Sequence, residues 1–232
     1  MFPTVRKLEL DLDRAENWRQ THLFSASLRM LVLTPAYPML LFATYSEPWV
    51  ETVFHKLYCD APMLQELHLC ETWLIPAIEP LSLAHLRVIS VEFHDREFIN
   101  GFCKLLSRCP VTELAMTYHY DAFPFELDPA PPAFPVLEKL TINNSPCIVG
   151  STLKHISPTR LCSLIVRTDM YGFHPTELYV YFLRVLLATS HANTLRWLEV
   201  RFPPPNTHLY NTSAFKAVYG CTCSIGGNWV AE

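Results

Sequence analysis

Eight times along this chain an apolar residue is followed by two others, a second apolar residue, one other, and a third apolar residue. The units are Val5-Leu8-Leu10, Leu28-Leu31-Leu33, Leu64-Leu67-Leu69, Leu86-Ile89-Val91, Val111-Leu114-Met116, Leu137-Leu140-Ile142, Leu161-Leu164-Val166 and Leu195-Leu198-Val200. A unit this short cannot bury an apolar face alone, whereas stacked copies can, so the spacing constrains the chain to a solenoid. The last two apolar residues of each unit alternate with one other residue, as a half-buried strand requires. The first sits three earlier, where the chain bends into the strand. Pro3, Pro62, Pro110, Pro135 and Pro158 stand just before units, where a residue without a backbone donor is tolerated. The expected architecture is α/β: a curved parallel sheet of about eight strands over residues 1–203, with irregular or helical connectors on the convex side. Residues 204–232 are expected to be a C-terminal cap or a loose tail, loose beyond Gly220 in particular.

The connectors support this. Residues 46–59 place Val50, Val53, Phe54 and Leu57 at helical spacing behind Ser46 as N-cap, with Pro48 in the first turn. Residues 96–108 do the same with Phe98, Ile99, Phe102, Leu105 and Leu106 behind Asp95. Residues 176–189 carry Leu178, Phe182, Val185 and Leu186 and form the third expected helix. The connector 120–133 is Pro-rich and reads as irregular.

Composition removes several classes of function. With 50% hydrophobic and 17% charged residues the chain has ample material for a core. Its net charge is −4, and no basic run exceeds Arg6-Lys7, so neither nucleic acid nor an anionic membrane is the expected partner. No apolar stretch reaches the ~18 residues that span a bilayer. The first residues, MFPTVRKLELDLD, are charged and strand-like where a signal peptide has an apolar block, which points to the cytoplasm or nucleus. The cysteines, Cys59, Cys70, Cys103, Cys109, Cys147, Cys162, Cys221 and Cys223, are therefore read as reduced thiols, mostly small core residues.

Catalytic and metal chemistry find little support. Cys221-x-Cys223 is one residue too short for a zinc knuckle, and His208 is isolated. His94-Asp95 and His119-Tyr120-Asp121 each follow a repeat strand without a nucleophile motif. Ser224-Ile225-Gly226-Gly227 precedes no helix pattern, and no phosphate loop or dinucleotide fingerprint occurs. The chain is expected to have no catalytic, cofactor-binding or metal-binding residues and not to be an enzyme.

The informative residues lie between the core positions. Side chains alternate along a strand, so those flanking the middle apolar residue point away from the core, onto the concave face. Among them Glu66, His68, Glu92, Lys139, Asn143, Arg167, Trp197, Glu199 and Arg201 are the candidate protein-binding residues. The acidic ones lean toward the first five units, and Lys139, Arg167 and Arg201 lie in the last three. Tryptophan and arginine are common anchors of protein interfaces, so an acidic end of a protein or peptide ligand is expected near Trp197, Arg167 and Arg201.

The spacing between middle residues, 23, 36, 22, 25, 26, 24 and 34 from Leu8 to Leu198, lies mostly within or near the roughly 20–29 residues of leucine-rich repeats. The segments FPTVRKLELDLD (2–13), APMLQELHLCET (61–72), CPVTELAMTY (109–118) and FPVLEKLTINNS (134–145) resemble the leucine-rich-repeat region of F-box proteins, especially the divergent type of mushroom-forming fungi. Cys109-Pro110 ahead of Val111, after an apolar helix, is similar to the cysteine-containing class of these repeats. The resemblance covers roughly residues 2–203. It implies a substrate-recognition module of a cullin-type ubiquitin ligase, which would meet the Skp adaptor and cullin only through an F-box upstream of the repeats. No segment here matches an F-box, and the first strand has no cap, so the chain reads as a fragment or a gene model started at an internal Met. The competing readings are a stand-alone scaffold or adaptor with no ligase link, a truncated gene product, and a repeat-type regulator such as the Ran class of GTPase-activating proteins.

Overall fold

The structure, a computed structural model, describes residues 5–11, 24–34, 48–70, 72–78, 83–93, 99–119, 134, 136–144, 149, 152, 159–167, 184, 194–201, 222–224 and 228–230. The chain divides into two compact units, Met1–Val111 and Thr112–Glu232.

In the first unit the apolar alternation produces four strands: β1 (Lys7–Asp11), β2 (Met30–Thr34), β3 (Glu66–Leu69) and β4 (Val88–Phe93). They lie side by side in chain order and all parallel. The middle repeat residues Leu8, Leu31, Leu67 and Ile89 are register partners from strand to strand, and so are Leu10, Leu33, Leu69 and Val91. Because side chains alternate, one register puts every aliphatic residue on one side. Leu31, Leu67 and Ile89 are at most 1% exposed, whereas Leu8 on the outermost strand is half-buried.

Parallel neighbours require crossover connections, and helices supply them. α1 (Pro48–Asp60) buries Val53, Phe54 and Leu57, and α3 (Ile99–Arg108) buries Ile99, Phe102, Leu105 and Leu106. Phe102 packs edge-on against Phe93 of β4, with ring centroids 5.3 Å apart and planes at 79°, a favourable aromatic geometry. Between β3 and β4 a single 3₁₀ turn (Thr72–Leu74) leads into α2 (Ile75–Ile78), a short helix that the repeat spacing did not reveal. Pro76 fits there because the first turn of a helix has no use for its missing donor. The expected helix over 176–189 lies outside the described residues apart from Arg184, as do the connector 120–133 and the caps Ser46 and Asp95.

The second unit repeats the arrangement with β5 (Glu113–Tyr118), β6 (Lys139–Asn143), β7 (Ser163–Arg167) and β8 (Trp197–Arg201), again parallel and in chain order. Leu114, Leu140, Leu164 and Leu198 form one register line, and Met116, Ile142, Val166 and Val200 the next. All eight are buried at 2% exposure or less. Beyond Gly220 the tail contributes β9 (Thr222–Ser224) and β10 (Asn228–Val230), and β10 pairs antiparallel with both β8 and β9.

The bend into the strand recurs as well, ahead of β2, β3, β4 and β6. The amide of Leu28 donates to Ser25 O (2.9 Å), Leu64 to Ala61 O (3.2 Å), Leu86 to Leu83 O (3.0 Å) and Leu137 to Phe134 O (3.3 Å). Each is a four-residue turn closing on the first apolar residue of a unit. Pro62 occupies the second position of its turn, where a fixed φ is pre-set, so it acts one turn ahead of the strand. A second recurring feature follows each turn. Arg6 O accepts from the amides of Arg29 and Met30, Arg29 O from Gln65 and Glu66, and Gln65 O from Arg87 and Val88. In the second unit Thr112 O accepts from Glu138 and Lys139, Glu138 O from Cys162 and Ser163, and Cys162 O from Arg196 and Trp197. The residue just before each of these six strands thus takes two donors from the next repeat, which locks the register where the ladder starts.

Candidate protein-binding face

Along β1–β8 the described alternate residues, Glu199 excepted, are half-buried or exposed on the side away from the core. On the first unit these residues are mainly acidic and aliphatic: Lys7, Glu9 and Asp11; Met30, Val32 and Thr34; Glu66 and His68; Val88, Ser90 and Glu92. Lys7 Nζ contacts Glu9 Oε1 at 2.6 Å, and the hydrogen bond and charge of this lysine hold the Glu9 carboxyl below the usual carboxylate range. Glu66 Oε2 lies 3.8 Å from His68 Nε2, too far for a hydrogen bond, and this nitrogen is enclosed without a hydrogen-bond partner. Glu92 on β4 is half-buried and carries an interaction of its own.

The second unit presents three rows across its four parallel strands. The first is Glu113, Lys139, Ser163 and Trp197; the second Ala115, Thr141, Ile165 and Glu199; the third Thr117, Asn143, Arg167 and Arg201. Lys139 Nζ donates to Glu113 Oε2 at 3.0 Å, so this cation is neutralised by its register neighbour. Asn143 Nδ2 donates to Thr117 Oγ1 at 2.8 Å, while Asn143 Oδ1 and Arg167 Nε are enclosed without partners. Trp197 is 42% exposed. The Arg201 side chain lies outside what the structure describes, although its backbone ends β8.

Glu199 departs from the expectation of a solvent-facing residue. It is only 9% exposed and holds an interaction of its own. The reason is β10, which pairs along β8 with Val230 opposite Glu199 and makes β8 an inner strand. The expectation of a cap or loose tail over residues 204–232 placed no strand there.

The repeat pattern also missed Asn144. It is 7% exposed, donates from Nδ2 to Tyr118 O at 2.7 Å, and its backbone amide donates to Arg167 O at 2.9 Å. One residue thereby ties the ends of β5 and β7 together and fixes the backbone that carries Arg167. Below it the Tyr118 hydroxyl lies 3.4 Å from Thr152 Oγ1. A buried asparagine one residue past a strand was the available signal, since such a side chain is stable only when it satisfies backbone groups.

The cysteine chemistry is quiet. Cys59, Cys70, Cys103, Cys109 and Cys162 are free thiols. Burial pushes the Cys103 thiol up to about 12. It also raises Cys109, against opposing effects of a Leu83 backbone hydrogen bond and the Arg108 charge. Raised thiols are poor nucleophiles. Cys59 is exposed, with its sulfur 3.7 Å from His55 Nε2 one turn earlier on α1. Among the described residues no group of three or more His, Cys, Asp or Glu is placed to hold a metal ion, and no helix is long and apolar enough to cross a membrane. His94, Cys147, His208 and Cys221 lie outside the described residues.

In comparisons with known proteins, no family model, no curated protein and no solved structure matches this chain.

Proposed function

We propose that this chain is a protein-binding leucine-rich-repeat module of the kind that recognises substrates for F-box subunits of cullin-type ubiquitin ligases, working in the cytoplasm or nucleus. It takes a protein or peptide partner across the solvent side of its parallel strands. The observation that carries the reading is the register: in each unit four strands present their aliphatic repeat residues to one interior and leave rows of the alternate side chains on the other side. Rigid rows at fixed spacing suit recognition of another chain, and such repeats bind through surfaces of this type. The exposed Trp197 adds an anchor of the sort that dominates interfaces. Any bond-making would belong to partner subunits.

Affinity purification of the tagged chromosomal gene product tests the ligase part. Recovery of a Skp adaptor and a cullin is the expected result. Their absence from a folded, well-expressed product removes the ligase link and favours a scaffold or adaptor that uses the same face.

A further inference from the structure

We infer that the face of the second unit takes an extended peptide bearing a carboxylate, with Arg167 as the group that meets the acid and Trp197 as the surface that holds an apolar side chain about four residues away. This deepens the protein-binding reading and rests on it.

The charge arrangement selects the acid. Lys139 is already paired with Glu113 at 3.0 Å. Among the described residues Arg167 has neither an ion pair nor a hydrogen bond from its side chain, and its Nε is sealed from solvent. A guanidinium stripped of part of its water is a costly group unless an anion completes it. Glu199, the nearest acid on the neighbouring strand, is buried and carries an interaction of its own. An incoming carboxylate therefore meets a half-desolvated charge, where attraction exceeds that of a fully exposed pair. The backbone of Arg167 is held by Asn144, so the cation is presented from a fixed strand end.

The spacing selects the anchor. Trp197 is in register with Ser163, and Arg167 lies four residues further along the same strand as Ser163. At about 3.3 Å per residue and about 4.8 Å between strands, the two positions are roughly 14 Å apart. Between them lie Ile165 on β7 and Glu199 on β8, the latter only 9% exposed, so a backbone can pass over both. An extended peptide covers that distance in about four residues. The first unit lacks the combination, since Glu9, Asp11, Glu66 and Glu92 crowd its face.

The test uses the whole chain and dye-labelled nine-residue peptides read by fluorescence anisotropy. One carries Glu four residues from Phe in a Gly/Ser background with an amidated end; others carry Gln in place of Glu, or place Glu next to Phe. A further peptide ends in a free carboxylate four residues after Phe, which separates a chain-terminal acid from a side-chain acid. The Glu peptide, the free-ended peptide, or both should bind at least about tenfold more tightly than the Gln peptide, the gain expected of one hydrogen bond to a charged group. Arg167→Gln should erase that preference with the thermal melt unchanged, and Trp197→Ala should weaken acidic and neutral peptides alike. Glu51→Gln, on α1 and outside the strand face, should alter nothing. Equal binding of the acidic and Gln peptides, or a preference that survives Arg167→Gln, overturns the inference. If that equal binding still depends on Trp197, the protein-binding reading stands without its acidic partner. If no peptide binds, both fall.

Discussion

Asn144 shows how much can rest on one side chain. It is buried, its amide bonds Tyr118 O at 2.7 Å, and its own backbone bonds Arg167 O. Asn144→Ala leaves a buried carbonyl short of its donor, which costs about 1–3 kcal/mol. Urea melts should show this loss, and Asn144→Asp should not recover it because a carboxylate cannot donate. Cys103 makes a second prediction. Its thiol is raised from the ordinary 9.0 to about 12 by burial. The folded chain therefore keeps this proton over the window where the unfolded chain has lost it. Stability from Cys103 is fully present below pH 9 and declines as the pH rises from 9 toward 12. The difference in urea midpoint between the wild-type chain and Cys103→Ala should shift against wild type between pH 8 and pH 10.5. A constant difference would contradict the burial of this thiol.

At the scale of elements, the strands are stabilised by register and the helices by one buried stripe. Leu140 is fully buried between Leu114 and Leu164, so Leu140→Ala should cost about 2–5 kcal/mol through a cavity that neighbouring strands cannot fill. Glu66→Ala, on the outer side of β3, should cost well under about 1 kcal/mol by the same urea measurement, as surface changes do. Equal losses would mean that the facing of the strands is wrong. This contrast was legible in the residues themselves, because strict alternation sorts each strand into two sides without further information. α1 and α3 were legible for the same reason at a period near 3.6. α2 was not, since Thr72–Ile78 is too short for a period to show and contains Pro76. Nor was β10, whose three residues carry no alternation, although Gly226-Gly227 between two short runs is a hairpin signal. The candidate site was readable only as a set of outward positions. Which charges cancel depends on register between residues far apart in the chain, as Glu113 and Lys139 show, and no local spacing encodes that. The burial of Glu199 depends on a strand about thirty residues later.

For the whole molecule the division into two units sets how perturbations combine. Leu67 has register partners Leu31 and Ile89, and Leu140 has Leu114 and Leu164, so the two leucines share none. They also fall in different compact units. Substitutions without common partners add to within about 0.3–0.5 kcal/mol, whereas neighbours in contact couple by about 0.5–3 kcal/mol. The double variant Leu67→Ala/Leu140→Ala should therefore lose the sum of the single losses in total unfolding free energy. Leu140→Ala/Leu164→Ala should depart from its sum, because the first cavity already loosens the packing around the second. Urea denaturation of the four single and double combinations in each cycle measures both. A coupling between Leu67 and Leu140 as large as that between Leu140 and Leu164 would mean that strain passes across the whole repeat array. Stability in this chain would then be a property of all its repeats at once, and neither unit could be treated as having a core of its own.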